Sequence, residues 1–419
     1  MLLIKNGTIV DPYTKIQEKL DILVNDKGII VEISENITAD CEVLDATNCF
    51  VSPGFIDAHV HFRTPGGEHK ETVETGALSA AAGGFTTVVC MANTNPVIDD
   101  EENLANILEI NAKAPINVLQ CATITTGFNG RDITDFKKLR DMGAVGFTDD
   151  GIYIKDAKTS YDAMKIAKEL NVPISLHEED TSLIHEPGVN FESAYAEFLG
   201  IKGATPESES VAVARDIALA ISTKARVNFQ HISTKESVAL IKFGKKQGAK
   251  IFAEVTPHHL ALTEDDLKIC GANAKMNPPL RREEDRQALI KGLKDGTIDM
   301  IATDHAPHST EEKSRQFLQC PSGIIGLETA FSVCYTNLCE HMTLMQLVEK
   351  MTVKPAKLYN LKKKALKVKN KSEIVVYSTA ETMIYDDFYS KSSNTPFSSI
   401  PLKGKIIATV MGDKIIYRG

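Results

Sequence analysis

Pro53-Gly54-Phe55-Ile56-Asp57-Ala58-His59-Val60-His61-Phe62-Arg63 carries two imidazoles and a guanidinium off the end of an apolar run, Phe50 to Ile56, that reads as a strand. Alternate side chains of a strand share a face, so His59 and His61 point the same way and can grip one ion, while Val60 turns into packing. Neutral imidazole suits zinc and its neighbours. Arg63 beside them is a receptor for an anion. Taken alone, the spacing also fits a pair of surface histidines.

Four further positions count against the surface-pair reading, because each puts a metal-ligand side chain where a β-rich run ends. They are Asp150 after Ala144 to Thr148, His177 after Val172 to Leu176, His231 after Arg226 to Gln230, and Asp304 after Met300 to Thr303. Helix-like stretches lie between: Glu71 to Ala82, Glu101 to Ala112, Asp135 to Met142, Ser160 to Leu170, Glu207 to Ile221, Lys235 to Lys246 and Arg282 to Leu293. With Thr86 to Met91, Asn117 to Ile124 and Lys250 to Val255 there are eight strands alternating with helices. This α/β pattern predicts a (β/α)8 TIM barrel, whose active sites lie at the C-terminal ends of the strands. Six ligand-type residues in register at those ends point to a metal site.

Both chain ends differ from the middle. Leu2 to Val10, Asp21 to Val24 and Ile29 to Ile33 read as strands, as do Ile374 to Tyr377, Ile406 to Val410 and Lys414 to Tyr417, the last two joined by Gly412 and Asp413. Short isolated sheets are marginal, so the two ends are expected to pair into one small β-sandwich rather than to form separate extensions. The expected division is residues 1–50 and 361–419 in the sandwich and 51–360 in the metal-dependent barrel. The lysine-rich stretch Lys362 to Lys371 reads as a solvated linker, and His308 to Gln316 as a lid or a surface loop.

Global features agree with a soluble enzyme of small molecules. A net charge of -9 and a pI near 5.7 offer no basic field for nucleic acid or an anionic membrane, so an acidic substrate must find positive charge locally. Eight cysteines lie scattered without a Cys-x-x-Cys pair, and no signal segment or long apolar span is visible. A cytoplasmic location is expected.

The opening stretch, with Pro65-Gly66-Gly67-Glu68, resembles the amidohydrolase superfamily and, within it, the bacterial class I dihydroorotases. The resemblance continues through Asn93-Thr94-Asn95-Pro96, Phe147-Thr148-Asp149-Asp150-Gly151, His231-Ile232-Ser233-Thr234, Glu254-Val255-Thr256-Pro257-His258-His259, Lys275-Met276-Asn277-Pro278-Pro279 and Thr303-Asp304-His305-Ala306-Pro307-His308. It implies reversible cyclisation of N-carbamoyl-L-aspartate to L-dihydroorotate plus water, in the de novo pyrimidine pathway to UMP. The ligand set it implies is His59, His61 and Asp304 on one zinc, His177 and His231 on a second, and Asp150 bridging where many relatives use a carboxylated lysine. One or two ions are expected, two favoured, with a shared hydroxide as nucleophile and Asp304 as general acid and base. Adjacent side chains diverge in a strand, so Asp149 and Asp150 cannot both bridge. The implied substrate contacts are His61, Arg63, Asn93 and His308, with Asn277, Ser322 and Gly323 at the ring amide edges. Once the six ligand positions are filled, His258, His259 and His305 read as supporting or packing residues.

Two alternatives stand beside this reading: a related cyclic amidase of the hydantoinase or allantoinase type, and a catalytically silent scaffold paralogue. Arg63 and the missing bridging lysine speak against the first, and the complete ligand set against the second. A homodimer is the default expectation for such enzymes. The sequence leaves open whether an aspartate transcarbamoylase subunit docks.

Overall fold

The run Phe50 to Ile56 is two strands rather than one. In the computed structural model, which describes residues 1–419, Phe50–Pro53 and Phe55–Val60 meet at Gly54. A Cβ at position 54 would come within 2.2 Å of the Thr86 side chain, so glycine is what lets the chain pass its neighbour and change sheets. Phe50–Pro53 pairs antiparallel with Glu373–Met383, whereas Phe55–Val60 pairs parallel with Phe85–Cys90.

Phe55–Val60 opens the parallel part of the α/β fold. One arc contains Phe55–Val60, Phe85–Cys90 and Asn117–Gln120, and a second contains Phe147–Thr148, Pro173–Leu176, Arg226–Phe229, Lys250–Val255 and Met300–Ile301. Single parallel bridges join the arcs on both sides, Ala122 to Phe147 and Val60 to His305. Several strands stop earlier than the apolar runs suggest, because a few residues on, the N–H groups turn to buried side-chain carboxylates, as Ile124 does to Asp149. Thr303 shows this, since its N–H donates to the Asp57 carboxylate at 3.2 Å and ends Met300–Ile301.

Helices fill the connections where periodicity places them, with ends moved by their caps. Val73–Ala82 starts after Thr72, whose side chain accepts from Thr75 N–H, and Ala157–Leu170 starts three residues before Ser160 because Asp156 caps it. Pro206–Thr223 begins with proline after the Thr205 cap. A single core cluster of 60 buried residues runs between these helices and the parallel strands.

The expected strand Leu2 to Val10 is also two. Asn6 takes a left-handed conformation (φ 66°) before Gly7, sending Leu2–Lys5 into a four-stranded sheet and Thr8–Asp11 into a six-stranded one. The six-stranded sheet runs Lys414–Arg418, Leu402–Met411, Glu373–Met383, Phe50–Pro53, Thr8–Asp11, Ile16–Lys19, so both chain ends share it. Leu2, Ile22 and Leu44 of the smaller sheet share one cluster of 14 buried residues with Ile9, Val376 and Val410 of the larger. Lys362 to Lys371 is not wholly solvated: Ala365 and Leu366 are buried, and Leu366 N–H donates to Asp11 at 2.9 Å. No helix is long and apolar enough to cross a membrane.

Candidate metal centre and active site

The strand Phe55–Val60 delivers His59 from its last turn of pleat and His61 just beyond it, with ring centroids 5.2 Å apart. Both face two carboxylates. Asp304 Oδ1 lies 2.9 Å from His61 Nε2 and 3.4 Å from His59 Nε2. Asp150 sits in the middle, its Oδ1 at 3.3 Å from His59 Nε2, 3.8 Å from His231 Nε2 and 3.9 Å from His177 Nδ1, its Oδ2 at 3.4 Å from His61 Nε2. His177 Nδ1 and His231 Nε2 approach to 3.0 Å. All six residues are buried.

The hydrogen bonds behind the imidazoles decide which nitrogen faces the centre. His59 Nδ1 meets Glu254 Oε2 at 3.1 Å, His61 Nδ1 meets Asn93 Oδ1 at 2.9 Å, and His177 Nε2 meets Glu179 Oε2 at 3.0 Å. Each of these oxygens is an acceptor, so each outer nitrogen carries its proton and each inner nitrogen offers a lone pair. His59 Nε2 and Asp150 Oδ1 have no hydrogen-bond partner although both are buried. Burying two carboxylates and several lone pairs around one point costs several kcal/mol unless a cation joins them. The donor set therefore fits a metal ion, and His59, Asp150, His231 and His59, His61, Asp304 form two overlapping groups with ligand atoms within 4.8 Å of one another.

The carboxylates draw positive charge to this point, a proton on His59 or a metal ion in its place. Burial pushes the His59 pKa down, but Asp150 and Asp304 outweigh it and hold it well above the usual imidazole range. Burial likewise pushes the Asp150 and Asp304 carboxyls up, yet the histidines, His59 foremost, hold both well below the usual carboxylate range. Asp149 is elsewhere: its carboxylate accepts the N–H groups of Ile124 and Thr125 at 2.7 and 3.0 Å. Arg63, His231 and Asp304 all have positive φ (57°, 31° and 49°), a conformation costing a non-glycine residue about 1–3 kcal/mol. The chain turns off its strands there while the side chains still point inward.

A cavity of about 490 Å³ opens beside this cluster, and Arg63, Asn93, Asn277, His308, Ser322 and Gly323 all line it. The Arg63 Nε donates to Pro307 O at 3.2 Å, and its Nη2 lies 3.4 Å from His308 Nε2; no carboxylate pairs with the guanidinium. His308 Nε2 lies 2.9 Å from Ser322 O, which requires the proton on that nitrogen. Burial, then the charges of Arg63, Lys70 and Lys313, push the His308 pKa down to about 3, so its ring is neutral.

Three side roles differ from the sequence-based expectation. The Asn93 amide ties two ligands together, accepting from His61 and donating to Asp150 Oδ2 at 3.3 Å. The Gly323 backbone is already engaged, its N–H by Lys275 O and its carbonyl by Lys313 Nζ. A Cβ at position 323 would come within 2.6 Å of the His308 ring, so glycine is there to let the imidazole approach. Beyond His308, Ser309 caps the short helix Thr310–Lys313, and the buried Lys313 Nζ also holds Pro321 O at 3.1 Å, which ties this segment to the stretch leading to Ser322. Asn277 presents a buried, unpartnered Oδ1. His259 and His305 bond to Pro278 O and Glu71, and neither they nor His258 join the ligand groups.

Glu254 and Glu179, which hold ligand imidazoles, are not singled out by the sequence. Glu254 lies within the motif Glu254 to His259 and faces inward by strand alternation, which is a usable signal; Glu179 lies beyond the strand Pro173–Leu176, where alternation gives none.

A family model described as dihydro-orotase-like matches residues 49–237. Over 423 residues, 100% of this chain, the chain is 49% identical to a dihydroorotase of Clostridium acetobutylicum, covering 99% of that protein. The chain belongs to the dihydroorotase family. Dihydroorotases of Clostridioides difficile and Streptococcus pneumoniae are each 48% identical over 100% of both chains. Among solved structures, the D-hydantoinase of Thermus sp. superposes with TM-score 0.85 at 25% identity, covering 100% of this chain and 95% of that one. The L-hydantoinase of Arthrobacter aurescens gives TM-score 0.86 at 23% identity over 100% and 96%, a likeness of fold. This chain thus shares a backbone plan with hydantoinases.

Proposed function

We propose that the chain is a metal-dependent dihydroorotase, a hydrolase of cyclic amides that interconverts L-dihydroorotate and N-carbamoyl-L-aspartate. The observation that carries the reading is Arg63: a guanidinium without a carboxylate partner lines the same cavity as the metal ligands, where a substrate carboxylate completes it. The two arcs, joined by bridges on both sides, are read as one closed (β/α)8 barrel spanning residues 51–360, with the paired terminal sheets of 1–50 and 361–419 as a sandwich and Phe50–Pro53 leading from one to the other.

His59, His61, His177, His231, Asp150 and Asp304 would hold one or two zinc ions, with Asp150 between them. The metal, when bound, supplies an acidified water and a polarised carbonyl. Asp304, held as a carboxylate by its histidine neighbours, takes the proton of the attacking water and returns it to the ring nitrogen as the carbon–nitrogen bond breaks. Arg63 pairs with the substrate carboxylate beside the neutral His308 ring, whose N–H is held by Ser322 O, and Asn93 fixes His61 and Asp150. The Asn277 amide, together with Ser322 and Gly323, borders the ring. In cyclisation Asp304 gives and takes the same protons in reverse order.

Glu254, Glu179 and Asn93 orient the ligands, which a scaffold without activity has no need to retain. Metal analysis with assays in both directions tests the reading. One or two zinc-class ions per chain and turnover that disappears on chelation are expected. Full activity in the metal-stripped protein contradicts it.

A further inference from the structure

Asn394 lies on the segment between Glu373–Met383 and Leu402–Met411, far in sequence from every residue placed at the site. It is 3% exposed, and its whole amide is engaged. Its Oδ1 accepts His308 N–H at 3.0 Å, and its Nδ2 donates to Ala306 O at 3.0 Å and to Gly323 O at 2.9 Å. Its backbone carbonyl accepts Ile325 N–H at 2.9 Å.

These partners belong to the two stretches that flank the Arg63 end of the cavity. One carries His308, and the other carries Ser322 and Gly323. The His308 Nε2 bond to Ser322 O, at 2.9 Å, depends on how far apart these stretches are held, and Gly323 leaves no slack for a closer approach. A single amide spans them: its Nδ2 donates to both stretches, at Ala306 O and Gly323 O, while its Oδ1 accepts the His308 backbone N–H of the first. The segment bearing Asn394 is itself tied down, because Ser390 Oγ and Lys391 N–H donate to the buried Glu71 and Ser392 Oγ donates to Lys70 O at 2.8 Å. Glu71 in turn meets His305 Nε2 at 3.2 Å, one residue beyond Asp304.

A buried asparagine bonded to backbone groups is often a staple and nothing more. Here, however, the side-chain partners are confined to His308 itself, the carbonyl two residues before it and the carbonyl after Ser322. We propose that Asn394 is a positioning residue for substrate binding, acting through His308 and the Ser322–Gly323 backbone. This rests on the reading of His308 as a partner of the substrate carboxylate.

Asn394→Asp keeps the shape and the acceptor for His308 N–H but sets a carboxylate oxygen against two carbonyls; Asn394→Ser removes the span with less repulsion. Steady-state kinetics with L-dihydroorotate, on the metal-loaded protein, should show KM raised about tenfold or more by either variant, with kcat within about threefold and metal content unchanged. In a His308→Ala background the further effect of Asn394→Ser on KM should be clearly smaller than in the wild type, because the part that acts through the ring is gone. An unchanged KM in Asn394→Ser, a loss of kcat without change in KM, or full additivity with His308→Ala would overturn the proposal. If the wild type fails to turn over L-dihydroorotate, or His308→Ala leaves KM unchanged, the reading of the site is what fails, and the proposal falls with it.

Discussion

Glu254 shows how little of a metal centre is in its ligands. Its Oε2 holds the His59 proton on Nδ1, while its Oε1 accepts from Asn228 at 2.6 Å, so the carboxylate cannot rotate away. Glu254→Ala should lower metal affinity about 10–100-fold while leaving the six ligands in place. Competition against a chelator measures this, and unchanged affinity would show that packing alone orients His59. Asp304 makes the complementary case: Asp304→Asn keeps the shape but cannot take a proton, so turnover should fall about 10²-fold or more in both directions with metal at least partly retained. Near-wild-type rates in that variant would remove Asp304 from proton transfer. His59 and His61 were legible because a two-residue spacing in a strand fixes a shared face, and the divergence of Asp149 and Asp150 followed from the same rule. Asn394 was not legible, since its partners are backbone groups brought near by the fold and leave no pattern in the residues around it.

At the scale of elements, apolar runs located every parallel strand but misjudged where strands change sheets. Gly54 and Asn6-Gly7 each divide a run that hydropathy alone joins, because the decisive facts are a neighbour's side chain and a left-handed residue. The helices after Thr329 leave no periodic signal for a related reason, being short and largely apolar, without the contrast of faces that marks a surface helix. One of this group, Leu344–Lys350, ends in a lysine that is 5% exposed and reaches Ile298 O at 3.3 Å. Burial, then Lys354, pushes its pKa down from 10.5 to about 8. Between these two values the folded chain has released a proton that the unfolded chain still binds, so the contribution of Lys350 to stability rises with pH across that window. Urea midpoints of the wild type and Lys350→Met at about pH 7 and about pH 9.5 should therefore diverge in favour of the wild type at the higher pH. A difference that is constant, or that moves the other way, would mean Lys350 keeps its charge when folded.

For the whole molecule, the dominant fact is that an acidic chain, net -9, accepts a substrate that is itself an anion. No long-range field assists, and attraction must come from the cavity. Hydantoinases share the backbone plan at TM-scores near 0.85, so the plan cannot explain a choice between a neutral ring and one bearing a carboxylate. Arg63 can, since a neutral ring would leave its half-buried cation without an ion partner. The deciding measurement is kcat/KM for L-dihydroorotate against dihydrouracil, in the wild type and in Arg63→Met at equal metal content. The expected result is a strong wild-type preference for L-dihydroorotate and a fall of about 10²-fold or more for that substrate in the variant. A wild type that prefers dihydrouracil, or an Arg63→Met protein that still turns over L-dihydroorotate at the wild-type rate, would contradict the assignment.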